Sequence, residues 1–310
     1  MNTALKNAVK ATDEKAQYDE CAKRLLGQKI ILAHILAKTV EEFRGMQPED
    51  VVSYIEGEPY IRNVPVDPGM TNTNNAEQEI TGLNTENQEV NEGLIRFDII
   101  FYVRRKNRVS QIIINVEAQK EEPDQYDILN RAIFYVCRLV SSQKERDFSG
   151  SNYNDIKQVY SIWICMNMRD NVMNHIAMMD RKIVGAHNWK GNLDLMNIIM
   201  IGLAKRRPEH TEQYELHRLL GTLLSNELSV KEKLNVMEQE YDISAEKNVE
   251  EEMAVMCNLG QGIEDRAMEM GEAKIIFCMY KKGMPVEKIA EVTDKNVDRI
   301  QSIIKAFNAE

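Results

Sequence analysis

Between Ile95 and Gln119 the chain alternates with a period of two, broken once by a charged stretch. Ile95, Phe97, Ile99, Phe101 and Val103 interleave with Arg96, Asp98, Ile100 and Tyr102. After Arg104–Arg108 the alternation resumes: Gln111, Ile113, Asn115, Glu117 and Gln119 share one face, and Ile112, Ile114, Val116 and Ala118 the other. That period belongs to strands with unlike faces, and the charged break reads as the turn of a β-hairpin. A turn near Lys106–Arg108 pairs residues whose numbers sum to about 213 to 215, so Asp98 stands opposite Glu117 or Asn115. A slip by one residue would bury Asp98 and expose Phe97 and Phe101, and the hydrophobic pattern opposes it.

Two neighbouring carboxylates repel unless one is protonated or a cation bridges them. Mg²⁺ is a suitable bridge, because it takes oxygen ligands and keeps several waters. The same pattern also fits a hairpin with a solvated face, on which Arg96 pairs with Asp98 or Glu117. Both readings remain open at this level.

The length of 310 residues suggests two domains. The net charge of −10 argues against a protein that coats nucleic acid through bulk charge. A local basic island around Asp98, made of Arg96, Arg104, Arg105, Lys106 and Arg108, still permits contact with DNA. Five scattered cysteines without CxxC spacing fit buried, reduced thiols in a cytoplasmic protein. The first twenty residues lack an apolar signal core, and the apolar run Ile30–Leu36 is too short to span a bilayer.

Residues 15–45 carry apolar side chains at helical spacing, with Gly45 as a stop, and a short helix is expected from Pro48. Residues 63–92, rich in Asn, Thr and Pro, read as a loop with a strand near Glu79–Leu83. A helix is expected from about Asp124 to Gln143. Its apolar stripe is Leu129, Ile133, Val136, Cys137 and Val140; Arg131, Tyr135, Arg138 and Ser142 form a second face, either solvated or phosphate-binding. Val159–Met166 reads as a central strand buried on both sides, and Leu193–Leu203 as a strand or buried helix. From Pro208 onward the chain reads as helical, interrupted at Gly260, Gly262 and Gly271. The stretch 281–307 has the spacing of a helix-turn-helix, or of a helical hairpin packed on its own protein, with Thr293 or Asp294 as a cap.

The segments Glu92–Asp98 and Asn115–Gln119 resemble the PD-(D/E)XK nuclease superfamily. Within it the chain is similar to the bacterial group of PD-(D/E)XK nuclease family transposases, related to recombination-promoting nucleases. The likeness continues through Arg131–Tyr135, Ser141–Gln143 and Val159–Met166, and upstream through Ala22–Arg44 and Tyr54–Pro59. The resemblance implies an α/β, restriction-endonuclease-like core: a helix, three strands, a helix and a strand in a small mixed sheet. That core would occupy residues 1–206, followed by an all-helical region at 207–310.

By the same resemblance, Asp98 and Glu117 are the metal-binding and catalytic acids, and Mg²⁺, or Mn²⁺ in its place, is the cofactor. Gln119 stands where the superfamily usually has lysine, and Phe97 where it has proline. A glutamine hydrogen-bonds but carries no charge. Arg131 and Tyr135 are the expected contacts to DNA phosphate. Glu42, on the first helix, or Glu92 would be the further carboxylate of such a site. The implied activity is Mg-dependent cleavage of DNA phosphodiesters, in a transposase or recombination-promoting setting. The alternative is an inactive module of the same fold that works through protein contacts or self-association. The expected partners are DNA and a second copy of the chain, and no membrane.

Overall fold

The computed structural model describes residues 17–57, 59–65, 96–105, 111–120, 123, 125–244 and 247–307. The expected strand at Glu79–Leu83, Glu92 and the hairpin turn at 106–110 lie outside them.

The first helix, α1, covers 17–26. Gln28 then adopts extended backbone, so the single helix expected over 15–45 is two, and α2 runs from Lys29 to Thr39. Ile31–Ala37 are all buried, as an α-helix apolar on every side must be. A 3₁₀ turn at Glu41–Phe43 carries Glu42, and Gly45 turns the chain with a positive φ of 76°. Pro48 opens α3 (Pro48–Val52).

Six strands form one mixed sheet: β1 (Tyr60–Pro65), β2 (Arg96–Arg104), β3 (Gln111–Gln119), β4 (Gln158–Met168), β5 (Val172–Ala177) and β6 (Met196–Ala204). Their order is β1-β2-β3-β4-β6-β5. β1, β2 and β3 pair antiparallel, β3, β4 and β6 run parallel, and β5 closes the edge antiparallel to β6. The hairpin register is Ile99↔Val116, Ile100↔Asn115 and Phe101↔Ile114. It continues to place Asp98 opposite Glu117, one of the two partners that the alternation allows. β1 and β5 had no clear signal in the sequence; Leu193–Leu203 resolves as the strand β6.

The crossover from β3 to β4 is α4 (Ile128–Ser141). It packs on the sheet through Ile128, Ala132, Tyr135, Val136 and Leu139, against Ile100, Tyr102, Ile113, Trp163 and Ile198. This overturns two expectations. β2 and β3 do not carry a solvated face, because α4 covers it: Ile112 through Ala118 are buried without alternation. The helix is also rotated from its expected setting. Of the expected stripe Val136 and Val140 do pack inward, but Leu129, Ile133 and Cys137 are exposed, while Tyr135, Arg138 and Ser142 are buried. The chain spends its aromatic and polar residues inward here, for reasons visible at the site. Of the cysteines, Cys137 and Cys278 are exposed and Cys21 and Cys165 buried.

Gly202 on β6 is required by close approach: an added Cβ would meet Val172 Cγ2 at 2.8 Å and Met168 Cγ at 3.3 Å. Gly202→Val is expected to destabilise the fold by about 1–3 kcal/mol, as overpacking does. A lower urea midpoint at unchanged slope would register it.

Asp19–Met253 forms one compact unit, and the chain from Ala254 onward belongs to another. In the first, α5 (Glu215–Leu223) packs on β6, and α6 (Val230–Tyr241) packs on α5. Ser229 and Glu232 close a capping box at the start of α6. α7 runs unbroken from Lys247 to Lys281, through the glycines expected to interrupt it. α8 (Val286–Thr293) and α9 (Val297–Phe307) bury Ile289, Ala290, Ile300 and Ile304 together with Ile276. Asn296, rather than Thr293 or Asp294, caps α9, its Oδ1 accepting from the Arg299 amide at 2.8 Å.

Candidate metal centre

Asp98 and Glu117 are locked to each other through backbone. Glu117 Oε1 accepts from the Asp98 amide at 3.1 Å, and Asp98 Oδ2 accepts from the Ala118 amide at 3.0 Å. Each acid thus uses one oxygen to hold the other's strand. Asp98 Oδ1 meets the ammonium of Lys23, on α1, at 2.7 Å, and Asp19 holds that ammonium from the other side, also at 2.7 Å. Glu117 Oε2 is buried and has no hydrogen-bond partner among the described residues.

Glu117 is fully buried. Asp98 lies on one side, and Trp163 of β4 is its register partner on the other. Burial first, and the Asp98 charge second, push the Glu117 carboxyl well above the usual carboxylate range. Burial also raises Asp98, against the downward pull of Lys23. Burial works against the Lys23 ammonium, but Asp98 and Asp19 outweigh it and leave that group raised.

Asn115 and Trp163 both donate to the Ser161 hydroxyl, at 3.2 and 2.9 Å. This buried polar link fixes the indole. Tyr135 packs edge-on against it, with centroids 5.4 Å apart. The Arg131 guanidinium lies over both rings, 4.9 Å from Tyr135 and 5.4 Å from Trp163. It donates to the Tyr135 hydroxyl at 2.9 Å, to the Tyr126 hydroxyl at 3.1 Å and to Gln119 Oε1 at 3.4 Å. The inward turn of Tyr135 on α4 thus builds a platform that aims Arg131 at the site. Gln119 also borders a cavity of about 120 Å³ with Ile128, Cys165 and Met168.

The structure therefore brings Asp98, Glu117, Gln119, Arg131 and Tyr135 to the same end of β2, β3 and α4. Glu42 sits on the 3₁₀ turn after α2, and no cluster of three or more acids, histidines and cysteines forms a metal cage among the described residues. Lys23, Asp19 and Trp163 are site neighbours that sequence reasoning missed. The signal for Lys23 was an ordinary i, i+4 pair with Asp19, common on any helix. Trp163 was legible as core, not as the wall of a site.

Two oxygens on adjoining strands, one without a partner and one shared with an ammonium, form a donor set fit for a hard divalent cation. The sheet order, the crossover helix and the paired acids define a PD-(D/E)XK nuclease-like core. A family model described as PD-(D/E)XK nuclease family transposase matches residues 72–269, and the chain belongs to that family. The match runs past the sheet into the helical region. No curated protein and no solved structure matches the chain. No helix among the described residues is long and apolar enough to cross a membrane.

Proposed function

We propose that this protein is a metal-dependent DNA endonuclease that acts in a transposase or recombination-promoting context. The observation that carries this reading is the unpartnered Oε2 of Glu117, buried beside Asp98. A buried carboxylate oxygen without a donor is costly unless it is protonated or bound to a cation. Asp98 and Glu117 would hold Mg²⁺, with Mn²⁺ able to replace it. The bound ion supplies a Lewis acid that lowers the pKa of a coordinated water and offsets charge on a phosphate oxygen.

The chain's own residues supply the rest. Gln119 accepts from Arg131, which leaves its amide NH₂ as a donor toward the attacking water or the phosphate. Arg131, steadied by two tyrosine hydroxyls and two aromatic faces, pairs with the DNA backbone, and Tyr135 sets its direction. Trp163 keeps bulk water from the acids, so each electrostatic contact counts for more than at the surface.

The test is nicking and linearisation of supercoiled plasmid across Mg²⁺, Mn²⁺ and Ca²⁺ at several salt concentrations, because DNA affinity falls steeply with salt. Wild type is expected to cut with Mg²⁺ or Mn²⁺, and Asp98→Ala to leave the plasmid intact. Equal inertness of both proteins in every condition would instead favour the inactive module. The neutral residue at position 119 is the specific observation on that side.

A further inference from the structure

We propose that Lys23 is a second cation of the candidate site, beside Arg131, supplying from α1 the positive charge that position 119 lacks. The inference rests on the metal-dependent cleavage proposed above.

Asp98, Glu117 and a phosphodiester bring three negative charges together, and a divalent ion offsets two; Asp19 shares the Lys23 ammonium but is 51% exposed, so water screens its carboxylate more than the buried acids. The remaining charge grows as the phosphorus is attacked, so a fixed cation nearby favours the transition state over the ground state. Gln119 is neutral. Arg131 hydrogen-bonds to Gln119, Tyr126 and Tyr135 rather than to either acid. Among the described residues, Lys23 alone places a cationic group within hydrogen-bonding distance of an acid of the pair.

The geometry then separates this from an ordinary ion pair. The ammonium takes Asp98 Oδ1 and leaves Glu117 Oε2 open, so it would stand beside a bound ion without displacing it. Asp19 grips it from the solvent side, which fixes its place. Only 17% of the Lys23 side chain is exposed, so water screens its charge weakly. The helix does not need this bridge to dock: Cys21, Ala22, Leu25 and Leu26 already bury its apolar side. Lys23 acts through Asp98 and is in that sense a positioning and charge-balancing residue.

The experiment measures kcat and KM for cleavage of a duplex oligonucleotide at saturating Mn²⁺, and Mn²⁺ affinity by titration calorimetry. Wild type, Lys23→Met, Lys23→Arg and Lys23→Gln are compared. For Lys23→Met, kcat is expected to fall by about 100-fold, the scale of losing one preorganised charge, with KM within about threefold. Its Mn²⁺ affinity should equal or exceed that of wild type, because a like charge has gone. Lys23→Arg should recover about tenfold of the loss. If Lys23→Met does not fold, Lys23→Gln keeps a donor to Asp98 without the charge and carries the same expectation.

A Lys23→Met enzyme within about fivefold of wild-type kcat overturns the proposal while cleavage itself stands. Parallel loss of kcat and Mn²⁺ affinity also overturns it, since that is the signature of a structural prop. A wild type that binds Mn²⁺ and never cuts overturns this inference and the cleavage reading together.

Discussion

Glu117→Gln is expected to abolish cleavage and, without metal, to stabilise the protein. On the proposed function, losing a ligand to the ion would remove several kcal/mol of transition-state stabilisation, which is about 10³-fold or more in rate. The stability gain has the opposite sign because the wild-type carboxyl is buried beside Asp98 with one oxygen unpartnered. Its folded pKa is raised above the unfolded value. The stability that Glu117 contributes is therefore fully present below about pH 4.5 and is lost as pH rises through the folded value. Glutamine has no such titration. Chemical denaturation in chelator should find the two proteins similar at pH 4.5 and Glu117→Gln ahead by about 1–3 kcal/mol at pH 8. Adding Mn²⁺ should close the gap from the wild-type side alone, by mass action on the folded state. A gap independent of pH would mean that Glu117 is held ionised by some other group.

Asp147→Ala is expected to produce the largest loss of stability, about 3 kcal/mol, without touching the acids. Only 5% of the Asp147 side chain is exposed. It accepts from the Tyr102 hydroxyl at 3.1 Å, Arg146 at 2.7 Å and Lys157 at 2.5 Å. The Lys157 ammonium also lies 4.8 Å from the Tyr102 ring centroid. The cluster joins β2, the turn after α4 and the chain entering β4. Removing the acid leaves two cations facing each other with little water, and breaking a buried pair costs about 3–5 kcal/mol.

The pH dependence follows. Burial opposes the Asp147 carboxylate, but Arg146 and Lys157 together pull it below its ordinary value. Its contribution is then present above about pH 3.8 and lost as pH falls through the lower folded value. Asp147→Asn should trail wild type across neutral pH and converge with it on the acid side of about pH 4. Denaturant unfolding at both ends of that range checks it.

Much of the scaffold was legible because strands announce themselves by period and by apolar runs. The alternation at Ile95–Gln119 restricted the partner of Asp98 to two residues, and the β2–β3 register picks Glu117. The run from Val159 to Met166 gave the central strand. What the residues could not show was which side of α4 faces inward. Leu129, Ile133 and Cys137 form as plausible an apolar stripe as the one that packs, and tertiary contacts chose Tyr135 and Leu139 instead. β5 was invisible for a different reason. It is an edge strand with exposed side chains, so it has no buried face to leave a pattern. Lys23 reaches the site across 75 positions of sequence, and no local pattern encodes so distant a partner. The neutral Gln119 is plain in the sequence, yet the Lys23 ammonium beside Asp98 is visible only once the first helix is set against β2.

A crystal soaked in Mn²⁺ and measured at a wavelength where manganese scatters anomalously would show whether Asp98 and Glu117 share an ion. One strong peak is expected between the two carboxylates, about 2.1 Å from an oxygen of each, with Lys23 still beside Asp98. A map with no peak there, at Mn²⁺ concentrations that fill ordinary carboxylate sites elsewhere in the crystal, would contradict a shared ion.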